Sequence, residues 1–150
     1  MLMTFQIDNL LRENENYLGT FPLDRLPDLP NKFPKSIIIN TDKSNKPGDH
    51  WIAIVLTEKH AYYFDSFGLG IIDQQIKHFL LPRYSSIIFN SLCIQHILSD
   101  KCGYYCIYFV ISVYNIKSYY KFLSNFKIDN LKLNDYIVMN MQGMKINDLN

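Results

Sequence analysis

The chain has 150 residues, 48% hydrophobic and 19% charged, which excludes wholesale disorder and supplies one domain's worth of core. With 15 Lys+Arg against 14 Asp+Glu the net charge is +1, so no strongly nucleic-acid-steered surface is indicated. The longest apolar run, eight residues from Tyr104 to Ile111, falls far short of the roughly 18 a membrane span needs.

No basic-then-apolar leader opens the sequence, and the three cysteines, Cys93, Cys102 and Cys106, form an odd, clustered set that is no secreted disulfide framework. These features read as a soluble, intracellular protein forming a single domain over residues 1–150. In chain order, Phe5, Ile7, Leu10 and Leu11 trace a short helical stripe over 5–12. From Gly19 to Pro34, four prolines (Pro22, Pro27, Pro30, Pro34) predict extended surface coil, because proline fixes φ and donates no hydrogen bond. The β-branched run Ser36 to Asn40 predicts a buried strand, and a turn-rich stretch follows to Asp49.

Residues 50–56 and 61–67 flank the polar turn Thr57-Glu58-Lys59-His60 and predict a β-hairpin. Ile72, Ile76, Phe79 and Leu80 predict a helix over 73–81 stopped by Pro82, and Ser86 to Gln95 reads as another strand. Gly103 to Tyr114 is apolar and free of turn residues, which favours a buried helix, and further helices are expected over 117–126 and 133–141.

Four segments hold polar residues that look out of place among these elements: Gly48-Asp49-His50-Trp51, Tyr63-Phe64-Asp65-Ser66-Phe67-Gly68, Gln95, and Lys101-Cys102-Gly103-Tyr104-Tyr105-Cys106. Together they spell a cysteine hydrolase. Cys102 stands where the buried helix begins, so the positive end of the helix dipole favours its thiolate, and Gly103 is expected to let substrate approach the backbone. His50 is the candidate base and Asp65 its orienter. An even-numbered turn puts these two on one face of the hairpin, opposite or one diagonal apart, at roughly 4.5–8 Å between Cβ atoms. Gln95, seven residues before Cys102, is the candidate oxyanion donor alongside the Cys102 backbone N–H.

Each residue alone has a blander explanation. His50 beside Trp51 suits a half-buried structural histidine, Asp65-Ser66 can simply begin a turn, and two cysteines one helical turn apart suit a core. The order His, Asp, Gln, Cys-Gly is what no single one of these explanations accounts for.

The pattern resembles the adenain family of adenovirus maturation proteases and the wider group that includes the SUMO-specific proteases. Leu18-Gly19-Thr20-Phe21 is similar to that family's N-terminal segment, and Ile39-Asn40-Thr41, eight residues, then His50-Trp51 reproduces its spacing. Tyr63 to Gly68 is similar to its second block, and Gln95, six residues, then Cys102-Gly103 and Cys106 to its third. The likeness spans about Tyr17 to Val110. It implies an α+β fold with a central mixed β-sheet flanked by helices, the nucleophile at a helix N-terminus and the histidine on a strand. It also implies a cysteine endopeptidase acting on viral capsid or core precursor polypeptides at small, glycine-containing motifs, in the virion and at its assembly site in the infected cell. The short chain and its wealth of Ile, Asn, Lys and Tyr, whose codons are rich in A and T, resemble proteases of small double-stranded DNA viruses, virophages or Polinton-like elements.

The sequence also departs from the family. Asp65 stands where the best-known adenovirus enzymes have Glu, and the stretch from Gly68 to Gln95 is shorter. Cys93 does not match the cysteine that captures an activating peptide in those enzymes, and the +1 net charge speaks against their second activator, DNA. No cofactor is expected for the chemistry itself. SUMO proteases usually have one residue fewer between glutamine and cysteine, with Asp directly before the nucleophile; here Lys101 takes that place. A protease of SUMO-like or ubiquitin-like proteins is therefore the alternative. From another class, Cys93, His96, Cys102 and Cys106 suggest a structural zinc site in an interaction module.

Overall fold

Three consecutive isoleucines are all fully buried because both faces of the strand that carries them are covered. Ile38 points into one hydrophobic core, while Ile37 and Ile39 point into another. The computed structural model describes residues 1–141; of the domain expected over 1–150, residues 142–150 lie outside the described part.

The elements run α1 (Thr4–Leu11), β1 (Tyr17–Pro22), β2 (Lys35–Asn40), β3 (Trp51–Leu56), β4 (Ala61–Phe64), α2 (Gln74–Leu80), β5 (Ile87–Phe89), α3 (Cys102–Ser112), α4 (Ile116–Ser124) and α5 (Leu131–Asn140). The strands form one mixed sheet in the order β1-β2-β3-β4-β5. β1 pairs parallel with β2 and β5 parallel with β4, while the two central pairings are antiparallel.

Side chains alternate across the sheet and fill two cores. One holds Ile38, Trp51, Ala53, Val55, Tyr62 and Phe64 against the helices α1, α3, α4 and α5. The other holds Ile37, Ile39, Ile52, Ile54 and Tyr63 beneath α2 and Leu23. Aromatic packing seals the first core: Phe64 stacks on Phe109 with centroids 4.8 Å apart, and Phe122 meets Phe64 edge-on at 5.1 Å. Among the described residues no helix is long and apolar enough to cross a membrane.

The α+β architecture and the order of helices and strands agree with the sequence reading; the hairpin's second strand ends early, at Phe64, element ends shift slightly, and two larger differences remain. The stretch Gly19 to Pro22, expected to be coil, belongs to β1. Pro22 is tolerated there because it closes a strand at the sheet's edge, where no ladder bond is forfeited on the open side. The expected strand over 86–95 contracts to Ile87–Phe89, because the Asn90 side chain turns back to bond Asp65 and Leu92, and the chain beyond it leaves the sheet.

Candidate active site

The β3–β4 ladder pairs Leu56 with Ala61 and Ala53 with Phe64 around the four-residue turn. Continued by one step, this register sets Asp65 across from Ile52 and so one diagonal from His50, on the same face. Both residues lie just outside the strands, at their open ends. His50 Nε2 and Asp65 Oδ1 are 2.8 Å apart, with Asp65 buried and the His50 side chain 15% exposed.

The Asp65 carboxylate is held in turn by the Phe67 backbone N–H, which donates to Oδ1 at 2.9 Å. Phe67 also lays its ring against the imidazole, with centroids 4.9 Å apart. Burial of the ring opposes its protonation. Hydrogen bonding to Asp65 and Cys102, together with their charges, outweighs that cost and raises His50 from 6.5 to about 9. Since Asp65 occupies Nε2, Nδ1 is the nitrogen left for the thiol.

Cys102 is the first residue of α3, which packs across β3. Among the described residues, the Cys102 and Gly103 N–H groups have no acceptor, as expected of the first turn of a helix. Gly103 differs from expectation. It is buried, and a Cβ there would meet Leu2 Cβ and Trp51 Cδ1, each at 3.3 Å. Its missing side chain therefore seats α3 against Trp51, whose Nε1 donates to the Leu2 carbonyl at 3.0 Å, and does not open the backbone to substrate.

Gln95 lies in the loop between β5 and α3, six residues beyond the strand, and not at a strand end as expected. It is fully buried as a residue, its Nε2 donating to the Ser99 carbonyl at 2.8 Å and its Oε1 accepting from the Ser66 hydroxyl at 2.6 Å. His50, Asp65, Gln95 and Cys102 all line one cleft of about 940 Å³, which continues past Phe67, Leu69 and Ile72 toward Ile76 of α2. All four sequence-predicted residues thus converge.

Three further residues shape the site. Asn90 bonds both backbone groups of Asp65, Ser66 bonds Gln95, and Ser99 accepts from it. Asn90 had a legible signal, since asparagine is depleted inside strands. Ser66 stood within the second block but read as turn chemistry. The zinc alternative loses its geometry: among the described residues no three His, Cys, Asp or Glu side chains form a group able to hold a metal. Cys93 is exposed, whereas Cys106 is sealed in the core, where burial pushes its thiol well above the ordinary range.

The sequence model of the adenovirus endoprotease family matches residues 17–147. The chain belongs to the adenovirus endoprotease family. A curated relative, the protease of bovine adenovirus 7, is 28% identical over 130 residues, covering 76% of this chain and 64% of its own length. The crystal structure of selenomethionine ASFV pS273R protease superposes with a TM-score of 0.53 at 19% identity, over 90% of this chain and 66% of that one. The latter is a likeness of fold. This member of the endoprotease family therefore spans just under two thirds of the length of each of these two proteins.

Proposed function

We propose that this chain is a cysteine endopeptidase that processes viral capsid or core precursor polypeptides during virion maturation, with Cys102 as nucleophile. The observation that carries the reading is the His50–Asp65 contact of 2.8 Å beside a cysteine at the N-terminus of α3, all three opening on one cleft. Family membership supports the reaction class.

The chemistry is acyl transfer. The Cys102 thiolate, stabilised by the His50 imidazolium and the α3 dipole, attacks the scissile carbonyl carbon. The carbonyl oxygen becomes an oxyanion, taken up by the Cys102 N–H and the Gln95 amide. His50 gives its proton to the leaving amine as the C–N bond breaks, leaving a thioester on Cys102. Water, deprotonated by His50, then attacks the thioester carbonyl and frees the acid and the thiol. Asp65 keeps the ring aimed throughout.

Cys102→Ala is the decisive variant, assayed on a recombinant capsid precursor carrying a glycine-containing cleavage motif. Cleavage falls to background in Cys102→Ala and nearly so in His50→Ala, while Asp65→Ala keeps measurable turnover. Full activity in Cys102→Ala ends the proposal.

A further inference from the structure

Asp65 and Ser66 are consecutive, and each reaches a different half of the machinery. Asp65 holds His50, whereas the Ser66 hydroxyl, with no exposed surface, meets Gln95 Oε1 at 2.6 Å. The Ser66 carbonyl also accepts from the backbone N–H groups of Ile94 and Gln95, at 2.9 and 3.1 Å. Two hydrogen bonds thus tie one buried serine to the residue proposed to hold the oxyanion, and a third ties it to the residue before.

The polarity of this arrangement follows from donor and acceptor counting. The Ser99 carbonyl can only accept, so the nitrogen end of the Gln95 amide faces Ser99, and the oxygen end faces Ser66. The Ser66 hydroxyl must then donate. Of the two hydrogens on Nε2, one is committed to Ser99 and the other has no acceptor among the described residues, while Gln95 lines the same cleft as Cys102. Without the Ser66 hydroxyl, Oε1 has no donor among the described residues, and only the Ser99 bond holds the amide plane.

We propose that Ser66 is a positioning residue for peptide hydrolysis: its buried hydroxyl fixes the Gln95 amide so that the free N–H points at the developing oxyanion. The inference rests on the proposed role of Gln95. It makes Asp65-Ser66 a two-armed unit that orients the base with one side chain and the oxyanion donor with the other.

The test compares wild type, Ser66→Ala, Gln95→Ala and the double variant, using a quenched fluorogenic peptide with a glycine-containing cleavage motif for turnover. Iodoacetamide alkylation of Cys102 is followed in parallel, since it reads the thiol and His50 without forming an oxyanion. Loss of an oxyanion donor costs about 10²–10³ in turnover, and a donor left in place but loosely held costs part of that. Ser66→Ala is expected to lower kcat by about 10- to 100-fold with KM within about twofold and the alkylation rate unchanged. The double variant should turn over no more slowly than Gln95→Ala alone.

Wild-type kcat in Ser66→Ala overturns the proposal, as do losses that multiply in the double variant or an alkylation rate that falls with kcat. Gln95→Ala at wild-type kcat overturns the role of Gln95, and the proposal with it, while leaving the assignment of Cys102 and His50 standing. Ser66→Gly, which also lacks the hydroxyl and adds no bulk, guards against a folding defect in Ser66→Ala: a folded Ser66→Gly protein with reduced kcat supports the proposal, and one with wild-type kcat overturns it.

Discussion

Asn90 holds Asp65 as a neighbouring strand would. Its side-chain Oδ1 accepts from the Asp65 N–H at 3.0 Å, and its Nδ2 donates to the Asp65 carbonyl at 2.5 Å, so one amide stands in for a rung of the β ladder beyond the last residue of β5. Asn90 is itself 3% exposed, leaving little room for water to replace it. Asn90→Ala strands two buried backbone groups at about 1–3 kcal/mol each, so a loss of roughly 2–6 kcal/mol is expected. Chemical denaturation measures it, and a loss below about 1 kcal/mol would show that the clamp is dispensable.

The protonation of His50 sets a pH dependence whose sign is fixed. Its value in the folded protein, about 9, lies above the ordinary 6.5, so binding a proton favours the folded state. That contribution is fully present below about pH 6.5 and is lost as pH rises through about 9. Stability of wild type relative to His50→Ala, measured by denaturation from pH 6 to 10, should therefore decline across this window. A difference that stays flat, or grows with pH, would contradict the ion-pair geometry.

The three cysteines should differ sharply towards iodoacetamide at mildly acidic pH. Cys102 sits beside an imidazolium and at a helix N-terminus, so it reacts first. Cys93 is exposed but lacks both features, and Cys106 is sealed in the core with its thiol pushed up. Peptide mass mapping after a short exposure should find the label on Cys102, and predominant labelling of Cys93 would count against a preformed pair. Cys106→Ser should leave turnover essentially intact.

Gly68 and Gly70 share a left-handed backbone, at φ of 69° and 70°, yet their surroundings differ. A Cβ on Gly68 would lie 2.6 Å from the Leu92 carbonyl carbon and 2.9 Å from the Cys93 nitrogen, whereas one on Gly70 meets only the Phe89 ring at an ordinary 3.5 Å. Gly70→Ala should cost about 1–2 kcal/mol, the conformational penalty alone. Gly68→Ala should cost more, roughly 2–4 kcal/mol, and lower kcat, because the backbone it displaces leads into Gln95. Equal melting temperatures for the two variants would refute the contact.

Much of the candidate site was legible because it is written in local rules. Hairpin parity placed His50 and Asp65 on one face from turn length alone, and helical apolarity placed Cys102 at the start of α3. Spacing singled out Gln95 as a candidate, but not its setting. The run Ile87-Ile88-Phe89 has strand propensity, and although an asparagine hints that the strand ends at residue 90, nothing local announces that its side chain will serve Asp65, twenty-five residues earlier. Gly103 misled for a related reason. A glycine after a nucleophile is compatible with either substrate access or close packing, and only the positions of Leu2 and Trp51 decide between them. The end of β1 was hidden by Pro22 and the three prolines that follow it, and the sheet edge overrides the local preference of Pro22.

The proposed nucleophile arrives on a helix that covers one core, while its proposed base and the carboxylate that holds it arrive on a hairpin that separates the two cores. No contiguous stretch of the chain contains the site, and the α3 dipole without His50 supplies only part of what polarises the thiol. Reactivity at Cys102 is consequently a property of the folded whole. The fraction of molecules that alkylate rapidly at a given temperature becomes a direct census of those in which helix and sheet are still joined.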